Sequence, residues 1–245
     1  DGSRFFLGDA KVVDNGGLTV SSELRDRVDL IIHMSHNAGC STGRNVGAAW
    51  ANAPNLSFID DDGLVGLDYA MNASKHLQKL NVVALRGRVV PRAHPYFTTL
   101  AGHYDRGPEV IDECLTAEGT MAICRSMFLS AGGFPDGMVG HEGIHLSYKI
   151  LNQKPGARLI YAPDVVLAHD YMKSWRHFVS KSASYAGLDS RAMVNDPALA
   201  AFVAEQLAKK FPRPQRSPDE QLARVILVAM RKAIVLGVRL RNGRR

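Results

Sequence analysis

Short apolar runs alternate with amphipathic stretches along the first half of the chain, which predicts strands alternating with helices. The expected strands, rich in Val, Ile and Leu, are Lys11–Asp14, Val28–His33, Leu56–Asp60 and Val82–Val90. The expected helices between them are Thr42–Ala53 and Leu67–Leu80. This order is typical of an α/β fold with a mainly parallel sheet flanked by helices. Ligands bind such sheets outside the carboxyl ends of the strands, so the loops after Asp14, His33 and Asp60 are the expected site.

The second half of the chain changes from a mixed to a helical pattern. It begins with a predicted helix, Glu142–Leu151, and a predicted pair of strands, Ala157–Tyr161 and Val165–His169. Three further helices are expected at Ser174–Tyr185, Pro197–Phe211 and Asp219–Leu240. Three prolines in Phe211–Pro218 indicate a linker before the last helix. We therefore expect an α/β domain over residues 1–188 and a helical C-terminal extension over residues 189–245.

The last predicted helix carries its polar and basic residues on one face, with apolar residues over the rest. That face contains Gln221, Arg224, Arg231, Lys232 and Arg239. One interpretation is a helix packed on the domain with a solvated basic stripe. The other is an amphipathic helix that lies on an anionic membrane surface. Both interpretations fit the pattern.

Composition limits the classes of function. The chain has 245 residues, 46% hydrophobic and 22% charged, which is ordinary for a globular protein. It contains neither an apolar run of roughly 20 residues nor an N-terminal leader pattern. The net charge of +6 is concentrated late in the chain, but no aromatic residues interleave with those arginines, so nucleic-acid binding is not expected. Three cysteines without metal-ligand spacing fit a reducing compartment. We expect a cytoplasmic protein, peripheral on the inner face of the plasma membrane if its last helix binds lipid.

An acidic turn is the strongest chemical signal in the sequence. The apolar strand Leu56–Asp60 runs directly into Asp61, Asp62 and a glycine. Strand periodicity places Asp60 and Asp62 on one side and Asp61 on the other. Two carboxylates at that spacing suit a hard cation, and Mg²⁺ or Mn²⁺ held there would neutralise a departing diphosphate. The alternative is a surface turn in which one aspartate caps the next helix.

Two earlier segments also suit a nucleotide. The strand that ends at Asp14 continues into Asn15-Gly16-Gly17. A loop from Asn37 to Gly43 leads into a predicted helix that carries Arg44 and Asn45. Its glycines let the backbone approach a ligand, and a helix N-terminus with an arginine suits phosphate. Turn formation and helix capping explain the same residues without a ligand.

The ordered set of motifs resembles the family 2 glycosyltransferases, which have the GT-A fold. In chain order the motifs are Asp14-Asn15-Gly16-Gly17, Asn37-Ala38-Gly39 with Arg44-Asn45-Val46-Gly47, Asp60-Asp61-Asp62, Glu118–Arg125 with Gly132–Asp136, His141–Ser147 and Tyr161–His169. The resemblance spans roughly Lys11 to Leu188. It implies transfer of a sugar, with inversion, from a nucleoside diphosphate, with UDP favoured, to a glycan or lipid-linked acceptor. It also implies a setting in polysaccharide or glycolipid synthesis.

The resemblance also implies roles for individual residues. The nucleotide-sugar would contact the side chains of Asp14, Asn37, Arg44, Asn45, Asp60 and Asp61. The metal, Mn²⁺ or Mg²⁺, would be held by Asp60, Asp62 and His169. Gly133, Phe134 and Asp136 would border the acceptor, and Glu142 would act as the catalytic base.

The predicted base is where the chain departs from the family, because the usual Glu-Asp pair is Glu142-Gly143 here. Glu142 is one candidate for the base, and His141 or His145 is another, since imidazole titrates near neutral pH. A third alternative is a protein that binds a sugar nucleotide without turnover. A nucleotidyltransferase also pairs carboxylates with Mg²⁺, but the expected Gly-rich phosphate loop is not visible.

The second departure from the family lies at the N-terminus. The family's first strand should precede the Asp14 strand, and residues 1–10 do not supply it. We therefore expect this strand to be missing from the sequence or truncated.

Overall fold

Two sheets form the centre of the fold in the computed structural model, which describes residues 9–17, 21–137, 140–186, 196–212 and 214–242. The first sheet pairs β1 (Lys11–Asn15) with β2 (Leu30–Met34) in parallel. The second contains β3 (Asn55–Ile59), β4 (Leu64–Val65), β5 (Val82–Val90), β6 (Ile111–Asp112), β7 (Thr120–Cys124) and β8 (Arg158–Ala168). Its order is β3-β7-β5-β8-β4, and β6 also pairs with β8. The longest register, between β5 and β8, is parallel, and the other pairs of this sheet are antiparallel.

Helices flank these sheets and confirm the predicted α/β class. The short ones are α1 (Ser22–Arg25), α4 (Pro95–Thr98) and α5 (Arg125–Ser130). The longer ones are α2 (Cys40–Trp50), α3 (Tyr69–Leu77), α6 (Glu142–Gln153), α7 (Trp175–Ala186), α8 (Pro197–Ala208) and α9 (Pro218–Asn242). Each longer helix overlaps a helix that the hydrophobic pattern predicts.

The predicted pair of strands near residue 160 is wrong, because Arg158–Ala168 is a single strand. Its partner β5 pairs with both predicted halves, on either side of a register shift after Gly87. The two strands approach each other closely at Gly87, since a Cβ on this residue would collide with the backbone oxygen of Val165. The shift accommodates Pro163, which cannot donate a ladder hydrogen bond.

The main core lies between the larger sheet and helices α2, α5 and α6. Phe58, Phe128 and Phe134 meet there with ring centroids 5.2 to 5.6 Å apart. A second cluster joins α4, α7 and α9, and Leu227 of α9 is only 3% exposed in it. The last helix therefore packs on the rest of the fold. The predicted domain boundary at 188/189 lies outside the described residues.

Candidate active site

The carboxylates of the acidic turn after β3 take different partners. Asp60 Oδ1 accepts a hydrogen bond from Arg44 Nη2 at 2.6 Å. Asp62 Oδ2 lies 2.7 Å from Lys173 Nζ, and Asp62 Oδ1 lies 3.2 Å from His169 Nε2. Asp61 is exposed. Asp60 and Asp62 are thus each paired with groups from other parts of the fold.

Arg44 connects the acidic turn to helix α2. Its guanidinium lies 5.8 Å above the ring of Phe134, and its side chain is only 17% exposed. Burial lowers the pKa of Arg44, but the Asp60 carboxylate more than offsets this and holds that pKa above its ordinary value. Arg44 is therefore a fixed cation at the predicted nucleotide site.

The predicted acceptor-side segment is tied to α2 through the neighbouring residue, Asn45. The Asn45 amide donates to the Phe134 carbonyl and accepts from the Phe134 N–H, both at 2.9 Å. Gly133 has a φ of +65°, and a Cβ on it would come within 2.5 Å of Asn45 Oδ1. Phe134 itself is 2% exposed, so its side chain belongs to the core and not to the predicted acceptor surface. Asp136 accepts a hydrogen bond from Thr42 Oγ1 at 3.2 Å.

Asp14 is the penultimate residue of β1 and lies beside a second loop of the predicted nucleotide site. Its carboxylate accepts from Gly17 N at 2.6 Å and lies 2.9 Å from His33 Nδ1. The hydrogen bond with His33 lowers the pKa of Asp14, with a further contribution from Gly17. The loop around Asn37 is held by Asn15, whose side chain accepts from Ala38 N and donates to Gly39 O.

The predicted metal ligands come together only in part. Asp62 and His169 are adjacent, while Asp60 is engaged by Arg44. Burial works to raise the pKa of Asp62, but Lys173 and His169 outweigh it and lower that pKa. Within the described residues no group of three or more His, Cys, Asp or Glu could hold a metal ion. Asp62 and His169 could hold a cation through a carboxylate and an imidazole, and its remaining ligands would have to come from substrate oxygens and water.

The N-terminal end of α6 brings the candidate base next to a second carboxyl group. Glu142 is the first residue of α6, and His141 before it has a φ of +68°. Gly143 N donates to Glu118 Oε1 at 2.8 Å. Burial raises the pKa of Glu118, and the negative charge of Glu142 raises it further. His145 keeps a buried Nδ1 without a partner among the described residues, and burial lowers its pKa.

A cleft of about 170 Å³ lies between the acidic turn and residues of strands β5, β7 and β8. Three predicted residues, Arg44, Asp60 and His169, line it. The lining residues that were not predicted as site residues include Thr116, Glu118, His103 and Lys181. The segment that contains Glu118 is visible in the sequence only as part of the family resemblance, and the other three carry no local signal.

Three of the residues that were not predicted add further polar groups to the cleft. Thr116 Oγ1 is buried and has no hydrogen-bond partner among the described residues. Burial and the charges of Arg86 and Arg106 lower the pKa of His103 to about 3, so its imidazole is neutral. Lys181 lies over the Tyr171 ring at 4.3 Å and donates to the Tyr171 carbonyl at 2.9 Å. The cleft thus offers an unpaired hydroxyl, a neutral imidazole and an ammonium to a ligand.

Sequence comparison places glycosyltransferases among the relatives of the chain. No family model matches it. The pre-mycofactocin glycosyltransferases of two Mycobacterium tuberculosis strains, CDC 1551 / Oshkosh and ATCC 25618 / H37Rv, are each 25% identical over 178 residues. The match covers 68% of this chain and 37% of each relative, so the chain spans little more than a third of their length.

Solved structures with the same fold are also glycosyltransferases. The mannosyltransferase PcManGT from Pyrobaculum calidifontis, in complex with GDP-Man and Mn²⁺, matches 96% of this chain and 77% of its own, with a TM-score of 0.57 and 17% identity. S. aureus TarS 1-349 in complex with UDP gives a TM-score of 0.53 over 82% of this chain and 63% of its own, at 14% identity. GalNAc-T7 with UDP, GalNAc and Mn²⁺ gives 0.51 over 68% and 38%, at 16% identity. The predicted GT-A fold and the resemblance to glycosyltransferases are confirmed.

Proposed function

We propose that this chain carries the catalytic site of a glycosyltransferase that moves a sugar from a nucleoside diphosphate to a hydroxyl acceptor with inversion. The observation that carries the proposal is the cleft at the end of β3, where Arg44, Asp60 and His169 meet in a GT-A fold. The unpaired hydroxyl of Thr116 in the same cleft supports a ligand there, because buried polar groups are ordinarily hydrogen-bonded.

The nucleotide part of the donor would lie along the loops that follow β1, β2 and β3. Asp14 and Asn37 border the first two loops, and Arg44 with Asp60 and Asp61 borders the third. Arg44 is suited to the diphosphate because guanidinium groups bind phosphate oxygens in a bidentate manner. Asn45 supports the site indirectly, since its amide is occupied by the Phe134 backbone. We favour UDP as the nucleotide.

Mn²⁺ or Mg²⁺ would be held by Asp62 and His169, with Asp60, which pairs with Arg44 in this structure, as the third predicted ligand. When bound, the metal neutralises charge on the leaving diphosphate. Asp62 must exchange its ion pair with Lys173 for this to occur.

Transfer requires an acceptor hydroxyl that loses its proton as its oxygen attacks the anomeric carbon. The new C–O bond forms while the bond from the anomeric carbon to the diphosphate oxygen breaks, and the diphosphate leaves with the electron pair. The proton goes to a carboxyl group at the N-terminal end of α6, where the candidate base Glu142 lies. Gly133 and Asp136 border the acceptor on the α2 side.

Turnover of a sugar nucleotide tests this function directly. The purified chain is incubated with UDP- and GDP-sugars and Mn²⁺, and release of nucleoside diphosphate is measured with and without glycan and lipid-linked acceptors. Binding is measured in parallel by thermal shift with UDP and GDP. Release that requires the metal and increases with an acceptor supports the proposal. Absence of both binding and release contradicts it.

A non-catalytic sugar-nucleotide-binding protein is the second candidate, because Gly143 removes one carboxyl group from the start of α6. The same experiment separates the two functions. Tight binding of UDP or GDP without release of diphosphate from any donor favours the binding protein.

We further propose that α9 contacts an anionic membrane surface, in keeping with polysaccharide or glycolipid synthesis at the cytoplasmic face. The face of α9 that packs on the fold contains Leu227 and Ile234. The opposite face exposes six large apolar side chains by 39 to 67%: Leu222, Val225, Ile226, Met230, Leu236 and Leu240. An open groove of about 490 Å³ along α9 is lined in part by Lys232 and Arg239. An apolar row flanked by cations suits an anionic bilayer surface.

No described helix is long and apolar enough to cross a membrane, so the proposed contact is peripheral. Co-sedimentation with phosphatidylglycerol vesicles tests it, with phosphatidylcholine vesicles for comparison. We expect the double variant V225E/L236E to lose binding to the anionic vesicles. The matched control is Leu80→Glu, which changes a leucine that is 84% exposed elsewhere on the surface. Equal binding by both variants would exclude α9 as the contact.

A further inference from the structure

Glu118 occupies the space that a side chain at position 143 would need. Gly143 is the second residue of α6, and its N–H donates to Glu118 Oε1. A Cβ at position 143 would lie 2.6 Å from that oxygen and even closer to the backbone oxygen of Leu115. The glycine therefore makes room for a carboxyl group that reaches α6 from the segment before β7.

The backbone next to Glu118 also touches the acidic turn. Gly119 lies against Asp60, because a Cβ on Gly119 would collide with the Asp60 carboxylate. Glu118 lines the cleft together with Arg44 and Asp60, whereas Glu142 is not among the described residues that line it. Two glycines thus place the Glu118 carboxyl between the predicted nucleotide side and the start of α6.

We propose that Glu118, and not its neighbour Glu142, is the residue that takes the proton from the acceptor hydroxyl in the transfer reaction. The inference rests on the proposed function and changes the identity of the base. The acceptor oxygen bonds to the anomeric carbon, the diphosphate oxygen leaves with its electron pair, and one Glu118 oxygen accepts the proton. The other oxygen can keep the hydrogen bond from Gly143.

The surroundings of Glu118 suit this role. Burial and the Glu142 carboxylate both favour the protonated form, so Glu118 binds a proton more strongly than an exposed glutamate does. Arg44 and the Gly143 N–H act in the opposite direction and keep the ionised form accessible. A general base is most efficient when its pKa approaches the working pH.

The decisive comparison is between Glu118→Gln and Glu142→Gln in the full chain. Glutamine keeps the size of Glu118 and can still accept the Gly143 hydrogen bond, but it cannot take the proton. With the donor and acceptor that the wild type turns over, we expect E118Q to lower kcat by about 10²- to 10⁴-fold, the usual contribution of general base catalysis. The Kd for UDP or GDP with Mn²⁺ should stay within about threefold, an effect well below one typical hydrogen bond to a charged group.

Glu142→Gln should leave a larger residual activity and should alter the pH dependence instead. Removal of the Glu142 charge lowers the pKa of Glu118, so the acid limb of the kcat profile moves to lower pH. The wild-type limb should lie above the ordinary range for a glutamate. Glu109→Gln, an exposed glutamate, is the matched control and should behave as the wild type.

The outcomes separate the two proposals. Wild-type protein that neither binds nor turns over sugar nucleotides contradicts the proposed function and Glu118 as its base together. Wild-type turnover with E118Q near wild-type rate overturns only the assignment of Glu118. A larger loss in E142Q than in E118Q returns the role to Glu142. If E118Q does not fold, the pH profile of E142Q decides. An acid limb at the same pH in E142Q as in the wild type overturns the assignment of Glu118.

Discussion

At the residue scale, three charged or titratable groups of the cleft come from separate segments of the chain. Arg44, Asp60 and His169, all predicted as site residues, line the same cleft because strand ends and a helix N-terminus gather at one end of a sheet. Glu118 is missed as a site residue because its role depends on the missing side chain of Gly143. Asn45 is predicted to bind the nucleotide, whereas its side-chain amide is hydrogen-bonded to the Phe134 backbone in the structure. No local sequence pattern reveals this contact.

The stability of the protein should depend on Glu118 in a pH-dependent manner. Its folded pKa is raised, so the stability associated with it is present below its unfolded pKa of about 4.3 and is lost as pH rises through the folded value. Glu118→Gln removes this ionisation. We expect E118Q to have a higher Tm than the wild type at pH 8 and a similar Tm at pH 4, measured by differential scanning fluorimetry. If E118Q and the wild type have the same Tm at pH 8 as well as at pH 4, the surroundings of Glu118 do not raise its pKa.

Lys173 should compete with a metal for Asp62. The ammonium lies 2.7 Å from Asp62 Oδ2, and Lys173 is itself 54% exposed. Lys173→Met removes this competing cation and should lower the apparent Kd for Mn²⁺ by about threefold, on the scale of one exposed ion pair. Electron paramagnetic resonance titration of free Mn²⁺ measures the change without donor or acceptor. Lys75→Met, at an exposed position on α3, is the control, and equal affinities in both variants would argue against Asp62 as a ligand.

At the scale of elements, hydrophobic periodicity predicts the long helices and the interior strand Val82–Val90 with its bounds unchanged. It fails where tertiary pairing overrides a local signal. The strand Arg158–Ala168 continues past Pro163 because β5 pairs with it on both sides of a register shift. The strand Thr120–Cys124 is buried on both faces and short, so its sequence lacks the alternation that marks a half-buried strand.

The start of α6 should tolerate no side chain at position 143. Alanine there gains helix propensity but forces its Cβ against the Leu115 backbone oxygen and against Glu118. Overpacking of this kind costs about 1–3 kcal/mol, so Gly143→Ala should lower the free energy of unfolding. Gly237→Ala in α9 is the matched control, since a Cβ there meets nothing within 4 Å and should add about 0.5–1 kcal/mol. Urea denaturation measures both, and a G143A variant as stable as G237A would contradict the close approach.

At the scale of the whole molecule, a buried charge network lies behind the cleft. Arg86 is fully buried on β5, and its guanidinium pairs with Glu113, whose side chain is 1% exposed. Arg106 donates to the other oxygen of Glu113 at 2.6 Å. Arg86 also stacks 4.5 Å from the ring of Tyr161 on β8. One carboxylate therefore joins two arginines and ties β5 to the segment that carries His103.

Loss of the Glu113 charge should consequently destabilise the entire fold. Glu113→Gln leaves the two arginines with a neutral partner, and breaking a buried ion pair in this way costs about 3–5 kcal/mol. The neighbouring substitution Asp112→Asn removes an ion pair with Arg158 that is 66% and 47% exposed on its two sides, and should cost less than about 1 kcal/mol. Urea denaturation of the two variants isolates the effect of burial at adjacent positions. A similar loss of stability in both variants would mean that water reaches Glu113. The pKa of His103 would then not be lowered as described, because that shift depends on burial and on the charges of Arg86 and Arg106.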